Sequence, residues 1–200
     1  MDKKQQTIDT YNASAQALAD KFDGLGSRLS DIDETFALVK KENPVVLEVG
    51  CGNGRDAAEI IKRTSRYLGI DISEGLVALA RKKVPGATFE VADIESYVFP
   101  KGLDIVFGFA SLIHVPKPSL QRILAKVSAA LNPCGVVRLS MKYGDVYRET
   151  TKEDEFGTRT YYLYSREDIA QMASEFVILK SELSDLREQR WLELLLQKKE

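Results

Sequence analysis

From residue 45 onward, short continuous apolar runs alternate with stretches whose apolar residues recur every three to four positions. The runs "VVLEVG" (45–50), "YLGID" (67–71), "TFEVAD" (88–93), "LDIVFGF" (103–109) and "GVVRLSM" (135–141) predict buried strands. Between them, Ala57, Ile60 and Ile61 predict a helix over 54–65. Leu76, Leu79 and Ala80 predict another, capped by Ser73, running through Lys83 and closed by Pro85-Gly86. Pro118 opens a third, carrying Leu120, Ile123, Leu124, Val127 and Leu131 and ended by Asn132-Pro133. Upstream, Ile8, Tyr11, Ala15, Leu18 and Phe22 predict a helix over 7–22. A second helix is predicted from Ser30, with Asp33 completing a capping box and Asn43-Pro44 stopping it. Residues 142–160 are polar without a period and predict a long surface excursion. Ser165 and Asp168 then cap a helix, and "FVILKSEL" and "RWLELLLQKK" predict an antiparallel hairpin around "SDLREQ".

Strand–helix–strand units with near-continuous apolar strands predict a parallel sheet covered on both faces, and right-handed crossovers make it an α/β doubly wound sandwich. The 200 residues fit a single domain: a helical cap at 1–42, a core at 43–142, and an excursion, helix and hairpin at 143–200. With 28 basic against 30 acidic residues there is no basic field, which argues against duplex nucleic acid as a partner. The polar first residues and the lack of a long apolar window predict no signal peptide and no membrane span. Two cysteines without CxxC spacing, beside one histidine, predict no metal site and a reducing, cytoplasmic setting.

The chemistry concentrates after the first strand, where Gly50, Gly52 and Gly54 give G-x-G-x-G. A dinucleotide fingerprint would place its third glycine at position 55, where this chain has arginine. Glu48, two residues before the loop, would repel a pyrophosphate but attract an ammonium, while the helix expected after Gly54 offers N–H groups to a carboxylate. Asp71 ends the second strand, where its carboxylate can accept from both hydroxyls of a ribose. Asp93 ends the third, where it can meet an adenine amine, and Ile72 and Ile94 can sandwich the base. An amino-acid end, a ribose and an adenine describe S-adenosylmethionine.

In that order, "VLEVGCGNG", "LGIDIS", "FEVADIES", "LDIVFGFASLIHVP" and "ALNPCGVVRLSMK" resemble the successive motifs of class I S-adenosylmethionine-dependent methyltransferases. The resemblance spans about residues 45–142. It implies a Rossmann-like, seven-stranded, mostly parallel sheet of order 3-2-1-4-5-7-6 with an antiparallel last strand and helices on both faces. It also implies S-adenosylmethionine as donor, S-adenosylhomocysteine as product, a cofactor role for Asn53, and a backbone carbonyl of Phe109 offered to the methionine ammonium. Similar enzymes place a tyrosine over the cofactor where Tyr11 stands, although its apolar stripe equally suits core packing.

On the acceptor side, His114 in "SLIHVPKP" is the candidate general base, against a purely structural turn histidine. In "FGTRTYYLYS", Arg159 is a candidate anchor for an anionic acceptor. Tyr162 and Tyr164 would share the pocket-facing side of an extended segment, with Tyr161 and Leu163 on the other. "NPCG" follows a helix and precedes a strand, so it reads as a turn with an inert Cys134, while Cys51 packs inward and Trp191 belongs to the core. The leading expectation is methyl transfer to a small molecule by in-line displacement. The alternatives are a protein or RNA methyltransferase, a non-catalytic binding module, and a nicotinamide oxidoreductase.

Overall fold

The structure, a computed structural model, describes residues 2–186 and 189–200. Its strands are β1 (Val46–Val49), β2 (Tyr67–Asp71), β3 (Thr88–Val91), β4 (Leu103–Phe109), β5 (Leu131–Lys142), β6 (Arg148–Asp154), β7 (Gly157–Leu163), β8 (Phe176–Leu186) and β9 (Gln189–Lys198). Seven of them form one sheet in the order β3-β2-β1-β4-β5-β9-β8, parallel except for β9, which runs antiparallel to both neighbours. Counting only strands of this sheet, that is the predicted order 3-2-1-4-5-7-6. The winding reverses between β1 and β4, which puts a crevice beyond the carboxyl end of β1.

The helices are α1 (Lys3–Ala13), α2 (Ala15–Asp23), α3 (Leu29–Leu38), α4 (Ala57–Ile60), α5 (Glu74–Lys83), α6 (Lys117–Ala130) and α7 (Arg166–Met172). Side chains alternate across β4, so the sheet has a core on each face. Val106 joins Leu120, Ile123, Leu124 and Val127 of α6 and Ile169 of α7. Ile105 and Phe107 join Ile32 of α3, Ile60 of α4, and Val77 and Ala80 of α5. Among the described residues no helix is long and apolar enough to cross a membrane.

Several local expectations are corrected. The first helix breaks at Ser14, whose hydroxyl donates to the Phe156 carbonyl at 2.8 Å. The Ser30–Asp33 capping box does not form. The helix instead starts at Leu29, the Arg28 N–H is taken by Asp56 at 2.9 Å, and Asp33 pairs with Arg63. The helix expected over 54–65 shrinks to one regular turn, Ala57–Ile60, flanked by turns. The hairpin turn expected at "SDLREQ" moves, because Ser184–Leu186 extend β8; residues 187–188 lie outside the described residues.

The polar excursion is itself a hairpin, β6 paired with β7. Helix α1 caps its edge with a row of hydroxyls. Thr7 accepts from the Thr160 N–H at 3.1 Å, Thr10 donates to the Thr158 carbonyl at 2.8 Å, and Ser14 reaches Phe156. Exposed strand edges need such partners. The result holds α1 and the hairpin together over the crevice.

Candidate functional site: the crevice beyond β1

The chain leaves β1 through a loop built on positive φ angles. Gly50 (φ 72°) donates to the Ile70 carbonyl at 2.7 Å, and a Cβ here would fall on Ser111. Gly52 (φ 54°) would point a Cβ into open space. Gly54 (φ 78°) is different. A Cβ here would meet Ala80 and Val84 at 3.3 Å, so its glycine permits close helix-to-loop packing on the side away from the lining residues.

Around this loop opens a cavity of about 780 Å³, walled by β1, β2, β4, the segment after β3, the ends of β5, β8 and β9, α1, α2 and the β6–β7 hairpin. Asp71 lines it half-buried. One carboxylate oxygen accepts from the Gly52 N–H and the other from the Ser73 N–H, both at 2.9 Å, so the side chain fixes the loop and retains free lone pairs. Burial raises its pKa, and those N–H groups work against the rise. Glu48, 2% exposed, accepts from the Tyr67 hydroxyl. Burial, then the neighbouring Asp56 carboxylate, push Glu48 up to about 8. An arriving cation would relieve that strain.

Asp93 is engaged by Lys4 of α1, which bridges it at 2.6 Å and Glu95 at 2.7 Å. Ile72 and Ile94 line the same end of the cavity. Asn53 lines the wall, but its amide is used to dock α2, donating to Asp23 at 2.9 Å and to the Ala19 carbonyl. Phe109 ends β4 beneath the Arg28 guanidinium, 4.8 Å from its ring, and the next residue, Ala110, turns out of the strand at φ 53°. A non-glycine residue held in that region costs about 1–3 kcal/mol and is concentrated at functional sites.

The histidine is tied at both nitrogens. His114 Nδ1 lies 2.6 Å from the Thr160 carbonyl, which can only accept, so Nδ1 carries the proton. Nε2 therefore accepts from the Tyr11 hydroxyl at 2.9 Å. Burial lowers its pKa to about 4, against the help of the Thr160 bond. In this arrangement the imidazole is neutral and both its nitrogens are engaged, so its lone pair points at Tyr11. His114 orients Tyr11, and Tyr11 lies on the crevice wall.

On β7 the alternation is as expected but its sense is reversed. Arg159 and Tyr161 line the crevice, while Tyr162 stacks on Tyr147 outside it. Tyr164 is fully buried in the α6–α7 core, donating to the Val115 carbonyl. Which side faces inward is set by how α1 docks, and single-sequence alternation cannot supply that. Sequence reasoning also missed Lys142 and Lys4 and assigned Trp191 to the core, although Lys142 ends its strand just as Asp71 does.

Residues 46–135 match the profile of a methyltransferase domain. The matched stretch runs from β1 into β5 and so spans the glycine loop and the ends of β1, β2 and β3. A protein from Acidovorax sp. (strain JS42) named trans-aconitate 2-methyltransferase is 34% identical to this chain over 98 residues, 48% of the chain and 37% of that protein. One of the same name from Escherichia coli O139:H28 is 34% identical over 111 residues, 54% of the chain and 43% of that protein. The chain thus spans less than half the length of the curated relatives it matches. Among solved structures, Burkholderia thailandensis 1,6-didemethyltoxoflavin-N1-methyltransferase, crystallised with 1,6-didemethyltoxoflavin and S-adenosylhomocysteine, shares the methyltransferase fold. It aligns with a TM-score of 0.72 at 18% identity, over 96% of this chain and 87% of that one.

Proposed function

We infer that the chain is an S-adenosylmethionine-dependent methyltransferase acting on a small-molecule acceptor. The observation that carries this reading is the crevice itself. Gly52 leaves open space at its floor, and Glu48, Asp71 and Asp93 follow one another along the ends of β1, β2 and β3. Those three acids match an ammonium, a ribose and an adenine amine in sequence. The Burkholderia structure supports the reading, since the same fold there holds the demethylated donor.

Bound in this crevice, S-adenosylmethionine supplies a methyl group already activated by its sulfonium. The protein's own task is to hold donor and acceptor in line and exclude water, which can lower a barrier by about 7–11 kcal/mol. Tyr11, fixed by His114, and the α1–hairpin roof serve that task. A cavity of about 780 Å³ that admits both partners favours a small acceptor over a protein or RNA chain. With His114 neutral and occupied, the reading favours an acceptor atom that is nucleophilic without a strong base.

Calorimetric titration with S-adenosylmethionine and with NADH tests the donor. Tight binding of the first and none of the second is expected, and the reverse would refute the reading. Release of S-adenosylhomocysteine over a panel of small metabolites, trans-aconitate and pteridine-like heterocycles among them, tests catalysis.

A further inference from the structure

Three cations gather at the end of the crevice away from the strand-end acids: Lys142 at the end of β5, Lys152 on β6 and Arg159 on β7. Lys142 Nζ stands 4.0 Å from the centre of the Tyr161 ring and 5.9 Å from that of Trp191. Its one hydrogen-bond partner among the described residues is Gln189 Oε1 at 3.3 Å, and no described carboxylate comes within 4 Å. Arg159 is 6% exposed and pairs with Asp154, yet its Nε has no partner among the described residues. The Trp191 Nε1 is likewise buried without one. Both residues line the crevice.

Unsatisfied buried donors are rare in folded proteins and costly where they occur. Here two of them line the same crevice as an amine that has no carboxylate within 4 Å among the described residues. An anion would satisfy this group of donors together. We propose that Lys142, Arg159 and Trp191 form an anchor for a carboxylate of the methyl acceptor. The inference rests on the methyltransferase reading above and adds the acceptor's class, a carboxylic acid whose apolar part lies along Tyr161. Lys142 is drawn down to about 8 by burial, with Lys152 and Arg159 adding to the effect. An incoming anion removes that penalty, so the anchor is poised for negative charge.

Trp191 is the only tryptophan of the chain, and its fluorescence reports on the anchor directly. The full chain, saturated with S-adenosylhomocysteine, is titrated with benzoate and succinate and with the neutral benzamide and succinamide. Calorimetry of S-adenosylhomocysteine alone is run on each variant. The acids are expected to change the fluorescence at least tenfold more tightly than the amides. Lys142→Met is expected to weaken the acids at least tenfold and leave the amides and S-adenosylhomocysteine binding unchanged, with Lys142→Arg restoring most of the loss. Amides that bind as well as acids, or acids that bind Lys142→Met as well as the natural protein, would overturn the anchor while leaving donor binding standing. Failure of the natural protein to bind S-adenosylhomocysteine would overturn the methyltransferase reading, and the anchor with it.

Discussion

Replacing Asp71 by asparagine separates the two jobs assigned to that side chain. In the structure its oxygens accept from the Gly52 and Ser73 N–H groups, each at 2.9 Å, and the residue lies half-buried in the crevice wall. Asparagine keeps one acceptor and turns an NH₂ toward the other N–H, so one charge-assisted bond is lost. That costs about 1.5–3 kcal/mol of stability. At about 2–4 °C per kcal/mol for a chain of this length, the melting temperature should fall by roughly 3–12 °C. If the same carboxylate also receives ribose hydroxyls, each weakened charged bond lowers donor affinity by about 1.5–3 kcal/mol, or roughly 10- to 150-fold.

A loop that is merely loosened could mimic the second effect, so the control is Gly54→Ala. That substitution strains the same loop at φ 78° but presses on Ala80 and Val84, away from the cavity. Calorimetry with S-adenosylhomocysteine and thermal melts on both variants give the comparison. Gly54→Ala should lose stability and keep most of its affinity, whereas Asp71→Asn should lose both. If Asp71→Asn melts lower yet binds within about twofold of the natural protein, Asp71 is a loop brace and nothing more.

Glu48→Gln should melt higher near pH 8 while binding S-adenosylhomocysteine more weakly. The folded state holds the Glu48 proton up to about 8 against 4.5 ordinarily, so ionising it costs stability as pH rises through that window, and glutamine escapes the cost. Gly50→Ala should destabilise strongly, because its Cβ falls on Ser111. Gly52→Ala meets nothing within 4 Å and should cost about 1 kcal/mol for its φ, yet obstruct the donor; equal melting of the two would contradict the loop geometry. For His114 the folded pKa is about 4 against 6.5, so the neutral form is favoured on folding. Its contribution is present above about 6.5 and lost as pH falls toward 4, about 3 kcal/mol in all. His114→Gln should flatten that part of the stability–pH curve measured by denaturant melts.

What could be read from the sequence was local or periodic. β4 occupies Leu103–Phe109 as expected because every one of its residues is buried and all but Asp104, which Lys41 and Asn132 satisfy, are apolar. The Ser165–Asp168 capping box forms because its partners lie three residues apart. The Ser30–Asp33 box has the same spacing and fails, since Arg63 claims Asp33 and the helix begins a residue earlier. β6 was invisible because its side chains are almost all exposed, leaving no alternation to see. The crevice wall follows the same division. Gly50, Gly52, Asp71 and Asp93 sit at strand ends that the pattern locates, whereas the sense in which β7 faces depends on hydroxyls of α1 about 150 residues away in sequence.

The charge layout of the crevice carries information that the net charge of −2 conceals. Acids line the ends of β1, β2 and β3 with Lys4 among them, and Lys142, Lys152 and Arg159 line β5 and the hairpin beside Glu153 and Asp154, Lys142 and Lys152 having no described carboxylate within 4 Å. In the proposed reading the donor is a cation and the acceptor an anion, so each has one end of the crevice in which its charge is matched and another in which it is opposed. Opposed charges in a partly enclosed site cost more than in water, and this discrimination operates before any close contact is made. Orientation is therefore written into the walls. That makes a strong base less important than placement, and it accounts for a histidine held neutral behind Tyr11 where the sequence invites a catalytic one.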